Sequence, residues 1–437
     1  MPAPVRTSTS ASSDPPERTA TFREVFAIGE FRAMFAATAL SWVGDYLAKI
    51  AVTVLVFKQT GSAGAAAATF AISFAPWLLI GPILTALAER LPRRRVMIAS
   101  DLIRMVTIGL VALVPMQVWL MIVLLFLTAL GNPPYDAARS ALTPTILPGD
   151  KLVVGVASIQ SAAQVAQLIG YMLGGYLAAA TSPRLALGMD AATFAISALL
   201  IALFVKRRPA VAQIEERRNL LRETADGFAM VFATPALRGI ALLVFSIMLV
   251  GTLPEGLGVS WAQTLRPANG LSVGLAQGLI MTAPPVGFIV GGLVVGRLVK
   301  PDTRVRLVRP LALATPAVLV PALFNPPLPV VCTMGFLVGC LISGILPITN
   351  RLFVQALPNT HRARAFGVMQ SGVQLLQGGS VAVAGALAVP ASMVPRIVGL
   401  WALGTLGLVF LVAVAVWPPQ ERFAAAIERA KALNEAV

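Results

Sequence analysis

The sequence predicts an all-α integral membrane protein, its twelve transmembrane helices arranged as two six-helix pseudo-symmetric bundles. Three observations point there. Of 437 residues, 57% are hydrophobic and only 12% charged, against ~25% charged in an ordinary soluble domain. Apolar runs of ~20 residues, enough to cross ~30 Å of hydrocarbon as a helix, recur about a dozen times. The second half of the chain also repeats polar positions of the first at a constant offset of 210 residues.

Taken in order, residues 1–24 are rich in Ser, Thr and Pro and lack the apolar core of a cleavable signal, which predicts a disordered cytoplasmic tail. An N-terminal bundle over 25–205 holds expected crossings at 31–57, 63–87, 96–115, 118–137, 152–180 and 184–205. The long connection, 206–236, opens with Lys206-Arg207-Arg208-Pro209 and places Leu221, Ala225, Phe228 and Phe232 at helical spacing among Arg217, Arg218 and Arg222. That pattern suits a helix on the cytoplasmic membrane surface. A C-terminal bundle over 237–417 follows, with crossings at 237–262, 271–296, 305–324, 328–350, 365–389 and 394–417. Residues 418–437 read as a cytoplasmic tail with a short helix.

The net charge of +15 would suit nucleic acid were it not so unevenly placed. With the N-terminus in the cytoplasm, 28 of the 34 Lys and Arg fall on that side and four outside, at Lys58, Arg184, Arg266 and Arg396. This is the positive-inside asymmetry of an even number of spans, so both termini are expected in the cytoplasm of a multi-pass cell-membrane protein. Nucleic acid is not needed as a partner. Cys332 and Cys340 are separated by ~12 Å of helical rise, too far for a disulfide. The single histidine, His361, lies in a loop, and no His/Cys cluster or Ser/His/Asp set forms. The expectation is no metal, no cofactor and no enzymatic activity, and a monomer surrounded by membrane lipids.

The repeat takes Gln160, Gln164 and Gln167 in the fifth crossing to Gln370, Gln374 and Gln377 in the eleventh. It also takes Gly175 to Gly385, Gly81 to Gly291, and Asp45 to Glu255. An offset of six helices makes the halves parallel repeats, which place a substrate site near the midplane between two bundles. Spacings of three and four put each Gln set on one helix face, either lining the substrate path or bonding neighbouring helices.

Asp45 is the residue on which the reading turns. A carboxylate at bilayer centre costs ~2.5–3.5 kcal/mol on insertion scales, so it must face protein or water. Lys49 lies one turn on, and the two read either as a proton-coupling pair or as a structural ion pair. Glu255, in Leu253-Pro254-Glu255-Gly256, is a second candidate for proton coupling on a bent or broken helix, unless it reaches outside water. Trp42, Phe74 and Trp77 could stack on an aromatic substrate or simply pack. Asp101 with Arg104, and Asp136 with Arg139, are spaced for local ion pairs that anchor the cytoplasmic ends of their helices.

Three stretches resemble the major facilitator superfamily, and within it the macrolide-efflux-type branch of the drug:proton antiporters. They are Ser41-x-x-Gly44-Asp45 with Gln59-Thr60-Gly61-Ser62-Ala63; Ala86-x-Ala88-Glu89-Arg90-x-x-Arg93-Arg94-Arg95 with Ser100-Asp101-x-x-Arg104; and Gly170-Tyr171-x-x-Gly174-Gly175. Thr85 and Glu89 replace the Gly and Asp of the family's loop between helices two and three, and Tyr171 replaces the Pro of its antiporter motif. The resemblance covers about residues 25 to 415. It implies proton-coupled export of lipophilic or amphipathic compounds such as antibiotics. It further implies a cytoplasmic gate of Glu89, Arg90, Arg93, Arg94 and Arg95, with Asp101, Arg104, Asp136 and Arg139 nearby. Gly170, Gly174 and Gly175 become a helix-packing motif. A dedicated exporter of one metabolite, such as a siderophore or lysolipid, and a non-transporting receptor or scaffold are the competing readings.

Overall fold

The computed structural model describes residues 20–79, 91–209, 220–299, 301–358 and 362–435. Among the predicted features, the first nineteen residues, Gly81, Glu89, Arg90, Arg217, Arg218 and His361 lie outside the described residues. Among the described residues the secondary structure is helical, with no strand.

A short amphipathic turn α1 (Phe22–Phe26) is closed by a capping box between Thr21 and Glu24. It precedes α2 (Gly29–Thr60), which ends on Gly61 in the left-handed conformation that glycine adopts without strain. Then come α3 (Ala63–Ala71), α4 (Ala75–Leu79), α5 (Arg93–Leu113), α6 (Val118–Leu130), α7 (Asn132–Ile146), α8 (Asp150–Ala180) and α9 (Pro183–Phe204). The expected crossing at 118–137 is thus two helices and runs on to Ile146. Its break falls at Gly131, and Pro133 and Pro134 occupy the first turn of α7, where a missing N–H costs nothing.

The connection carries α10 (Leu220–Ala233). Rather than only lying on a membrane surface, this helix packs on the C-terminal half: Asp226 pairs with Arg364 at 3.5 Å. Beyond it the chain forms α11 (Pro235–Gly251), α12 (Leu253–Gly256), α13 (Gly258–Asn269), α14 (Val273–Leu298), α15 (Pro301–Ala317), α16 (Leu328–Gln355), α17 (Arg362–Leu387), α18 (Val394–Leu411) and α19 (Gln420–Glu435). The seventh crossing is broken into three pieces around Pro254, as the Pro and its flanking glycines predict.

Ten helices or joined pairs among the described residues are long and apolar enough to span a bilayer. Of the other two expected crossings, the second is described only as α3 and α4, and the eleventh is the 26-residue α17. Large apolar side chains such as Leu113, Met172, Leu199, Phe204, Leu298 and Phe410 are exposed, forming the outer surface that a lipid phase would cover.

The two halves meet in one buried apolar cluster, which joins Ile50, Ala66, Phe70 and Tyr171 to Leu253, Trp261, Ile280 and Val381. Contact is tightest near the face that carries the connections at 61–62, 181–182, 270–272 and 388–393. There a Cβ on Gly175 would lie 2.7 Å from Cα of Gly278 and 2.9 Å from the carbonyl of Gly274. Its repeat mate Gly385 abuts Ala67 and Ala63, so the same position closes both seams. Gly170 and Gly174 pack on the backbone of α2, where Cβ atoms would come within 2.7 Å of the Val43 carbonyl and 3.0 Å of the Leu47 carbonyl. Small residues allow this approach, and packing rather than hydrophobicity holds helices together in lipid.

Candidate functional site

α2 packs along α3, α8 and α9, and a cavity opens against it. Its wall includes Trp42, Asp45, Tyr46 and Lys49 of α2, Phe74 and Trp77 across from them, and Gln374 from the other half. Arg104, Asn132, Tyr135, Asp136 and Asp190 complete its polar side. Of the residues expected to line a substrate path, Trp42, Phe74, Trp77 and Gln374 line this cavity. Gln160 and Gln370 are exposed instead.

The expected pair within α2 does not form. Asp45 instead receives Arg104 Nη1 at 3.4 Å from α5. Lys49 lies over the Tyr46 ring at 4.7 Å, with Phe70 and Phe74 at 5.6 and 5.9 Å. Aromatic faces stabilise a desolvated ammonium by ~2 kcal/mol, which offsets part of the cost of its burial. The charge of Lys49 also acts on Glu255 and Asp45, so it stands electrostatically between the two repeat-related acids.

Arg104 is the hub of the site. It pairs with Asp101 one turn back and donates to Asn132 Oδ1 at 2.7 Å. Its guanidinium packs between Phe194 and Tyr135, with centroids at 4.3 and 4.9 Å. Asp101 is further held by the Ser197 hydroxyl at 2.7 Å. The expected local Asp101–Arg104 pair thus forms, with both side chains buried. Asp136 and Arg139 also pair, at 3.0 Å, and Arg139 lies 5.3 Å from the Trp42 ring.

The basic cluster opening α5 bonds within its own half. Arg93 donates to the Ala141 carbonyl at 2.7 Å, and Arg94 to the carbonyls of Ala202 and Ile201. The carbonyls of Ile201 and Ala202 belong to the last turn of α9, where a cation complements the helix end. Arg95 is exposed. Among the described residues none of the three crosses between the halves in this arrangement; the contacts of Arg93 and Arg94 brace the N-terminal half.

Cross-half polar contacts lie elsewhere. Glu255, on the short α12, is buried, not open to outside water: Tyr171 Oη donates to its Oε2 at 2.7 Å and Gln167 Nε2 to its Oε1 at 3.3 Å. Tyr171 packs edge-on against Tyr46 at 5.2 Å. Gln277 Nε2 of α14 donates to Thr53 Oγ1 of α2 at 2.7 Å. Gln377 bonds inside its own half, to Met248 Sδ at 3.4 Å, and Gln164 is half-buried.

Two functional candidates were not singled out from the sequence, Asp190 and Gln277. Each is a lone polar residue in an apolar run, the same signal that marked Asp45. Asp190 is buried at 1% exposure and lines the cavity.

Residues 34–309 match the family model described as Major Facilitator Superfamily. Macrolide efflux protein A of Streptococcus pyogenes is 23% identical over 230 residues, covering 51% of this chain and 55% of that protein. The chain thus spans about half the length of those macrolide efflux relatives. The multidrug efflux pump Tap of Mycolicibacterium fortuitum is 24% identical over 401 residues, 89% of this chain and 95% of the relative. Among solved structures, a peptide transporter POT in complex with sulfate superposes with a TM-score of 0.70 at 13% identity, over 94% of this chain and 97% of that one. The nucleoside transporter NupG gives 0.67 at 16% identity, over 87% and 98%. At these identities the structural likeness carries the fold.

Proposed function

The chain belongs to the Major Facilitator Superfamily, and from that premise we propose that it is a proton-coupled exporter of lipophilic or amphipathic small molecules working by alternating access. The observation that carries the reading is Asp45: an acid in the wall of a cavity lined by aromatic and polar side chains, ion-paired to a neighbouring helix rather than to its own lysine. Aromatic rings of Trp42, Tyr46, Phe74 and Trp77 offer apolar faces to a lipophilic or amphipathic substrate. Efflux relatives support export over uptake.

With both termini in the cytoplasm, the glycine-closed face is external and the chain is in its inward-facing state. A proton arriving at Asp45 would cancel its charge and weaken its hold on Arg104, while Glu255, bridged to Tyr171, ties the second half to the same event. Switching then amounts to exchange of one set of cross-helix contacts for another. One proton moving down ~150 mV supplies roughly 3.5 kcal/mol, about a 300-fold solute gradient. Reconstitution tests this: proteoliposomes are expected to move ethidium uphill under an imposed pH gradient, and an uncoupler is expected to abolish that movement. Ethidium flux indifferent to both gradient and uncoupler, across a panel of lipophilic cations, would overturn the reading.

A further inference from the structure

We infer that Asp190 is a proton-binding site of the cavity, its carboxyl carrying an exchangeable proton while Asp45 and Asp101 hold Arg104. Its part in coupling rests on the exporter reading above; its occupancy by a proton does not.

The argument begins with a count of partners. Three buried or half-buried acids, Asp45, Asp101 and Asp190, surround one guanidinium. Arg104 gives Nη1 to Asp45 and Asn132 and Nη2 to Asp101. Lys49, the other cation on the cavity wall, sits on aromatic rings. Asp190 has no ion pair among the described residues, and its carboxyl is reached only by Thr193 Oγ1 of its own helix, at a long 3.4 Å. That hydroxyl makes its shorter bond, 2.8 Å, to the Asp190 carbonyl. An ionised carboxylate so enclosed costs several kcal/mol, whereas the neutral acid costs far less and can donate.

The position is built rather than incidental. Gly44 leaves the space that the carboxyl fills: a Cβ there would collide with Asp190 Oδ1 and Thr193 Oγ1. The glycine immediately before Asp45 thus lets α9 bring its acid against the same turn. Two further buried atoms on the cavity wall, Ser41 Oγ and Arg104 Nε, have no partner among the described residues. Unsatisfied polar atoms beside a roomy polar cavity are what ordered water occupies, and water is the route by which a proton leaves.

The groups facing Asp190 are Asp45 and Lys49 on α2 and Asp101 and Arg104 on α5, with Tyr135 and Asp136 across the cavity. α8, which also touches α9, carries Tyr171, committed to Glu255, Tyr176, which is exposed, and Asp150 and Lys151 at its far end. The exchange balances simply. A proton forms an O–H bond on Asp45, the guanidinium turns from Asp45 to Asp190, and the Asp190 O–H bond breaks with its proton passing to cavity water. One proton enters and one leaves, and the charge on Arg104 is paired throughout.

Infrared difference spectra of the full chain in lipid vesicles, titrated with pH, test the assignment. Asp190→Asn is expected to lose one protonated-carboxyl C=O band that wild type and the exposed control Asp226→Asn retain. A wild-type spectrum from Asp190→Asn overturns the inference. If that variant does not yield monodisperse protein, Asp190→Glu is expected to displace the band, and an unmoved band overturns the inference equally. Ethidium flux in the same vesicles reads the exporter proposal separately. Wild-type vesicles that show the band but no uncoupler-sensitive flux would defeat the exporter reading and leave the proton on Asp190 standing.

Discussion

Arg104 Nη1 lies 3.4 Å from Asp45 Oδ2, joining the first and third crossings through a charge pair in the cavity wall. The same guanidinium holds Asp101 and Asn132. One cation therefore ties three helices together, and removing any partner redistributes its bonds.

Asp45→Asn keeps the shape of the side chain and leaves Arg104 paired with Asp101. Folding is expected to survive, with substrate-driven proton release in proteoliposomes lost. Coupled export by this variant at the wild-type rate would remove Asp45 from the mechanism.

Arg104→Ala has the opposite character. It strips the cation from Asp101, which is fully buried, and from Asp45. Breaking a buried pair by deleting one partner costs ~3–5 kcal/mol. Thermal unfolding in detergent should show a large drop in midpoint, and Arg104→Lys should recover it only in part, because an ammonium cannot fork between two acids.

Tyr171→Phe deletes the 2.7 Å bond to Glu255 that crosses between the halves. A bond to a charged acceptor is worth ~1.5–3 kcal/mol, so the closed face should open in about 10- to 100-fold more molecules. Spin labels at Thr181 and Val389 would report this as a longer inter-label distance. An unchanged distribution would make the bond incidental.

Gly175→Val places a branched side chain against the backbone of Gly274 and Gly278, which cannot give way as a flexible side chain could. The external seam is expected to stay open, with transport lost and the same label distance lengthened. A closed seam in this variant would show that α8 and α14 can slide past one another.

Much of the site was legible one residue at a time. Asp45 and Glu255 were recognisable because an acid in an apolar run needs a reason, and the break of the seventh crossing followed from Pro254. Asp190 gave the same signal and was passed over, having neither a neighbouring cation in sequence nor a repeat mate. The i,i+4 spacing of Asp45 and Lys49 suggested a pair, but a guanidinium from the next helix and a ring one turn away offered each a better contact. Gln167 and Gln377 occupy equivalent repeat positions yet reach different partners, one across the halves and one within its own.

The order and hydropathy of the helices, the charge asymmetry and the repeated polar positions were written in the chain itself, since each is read along it without knowing what packs against what. Which side of each helix meets protein was not. In a soluble fold the apolar stripe marks the inward face, but lipid is as apolar as leucine, and a membrane helix can be equally greasy all round. The rotation that turns Asp45 to Arg104, Asp190 to Gly44 and Tyr171 to Glu255 came from close packing between helices, and only the assembled bundle could decide it.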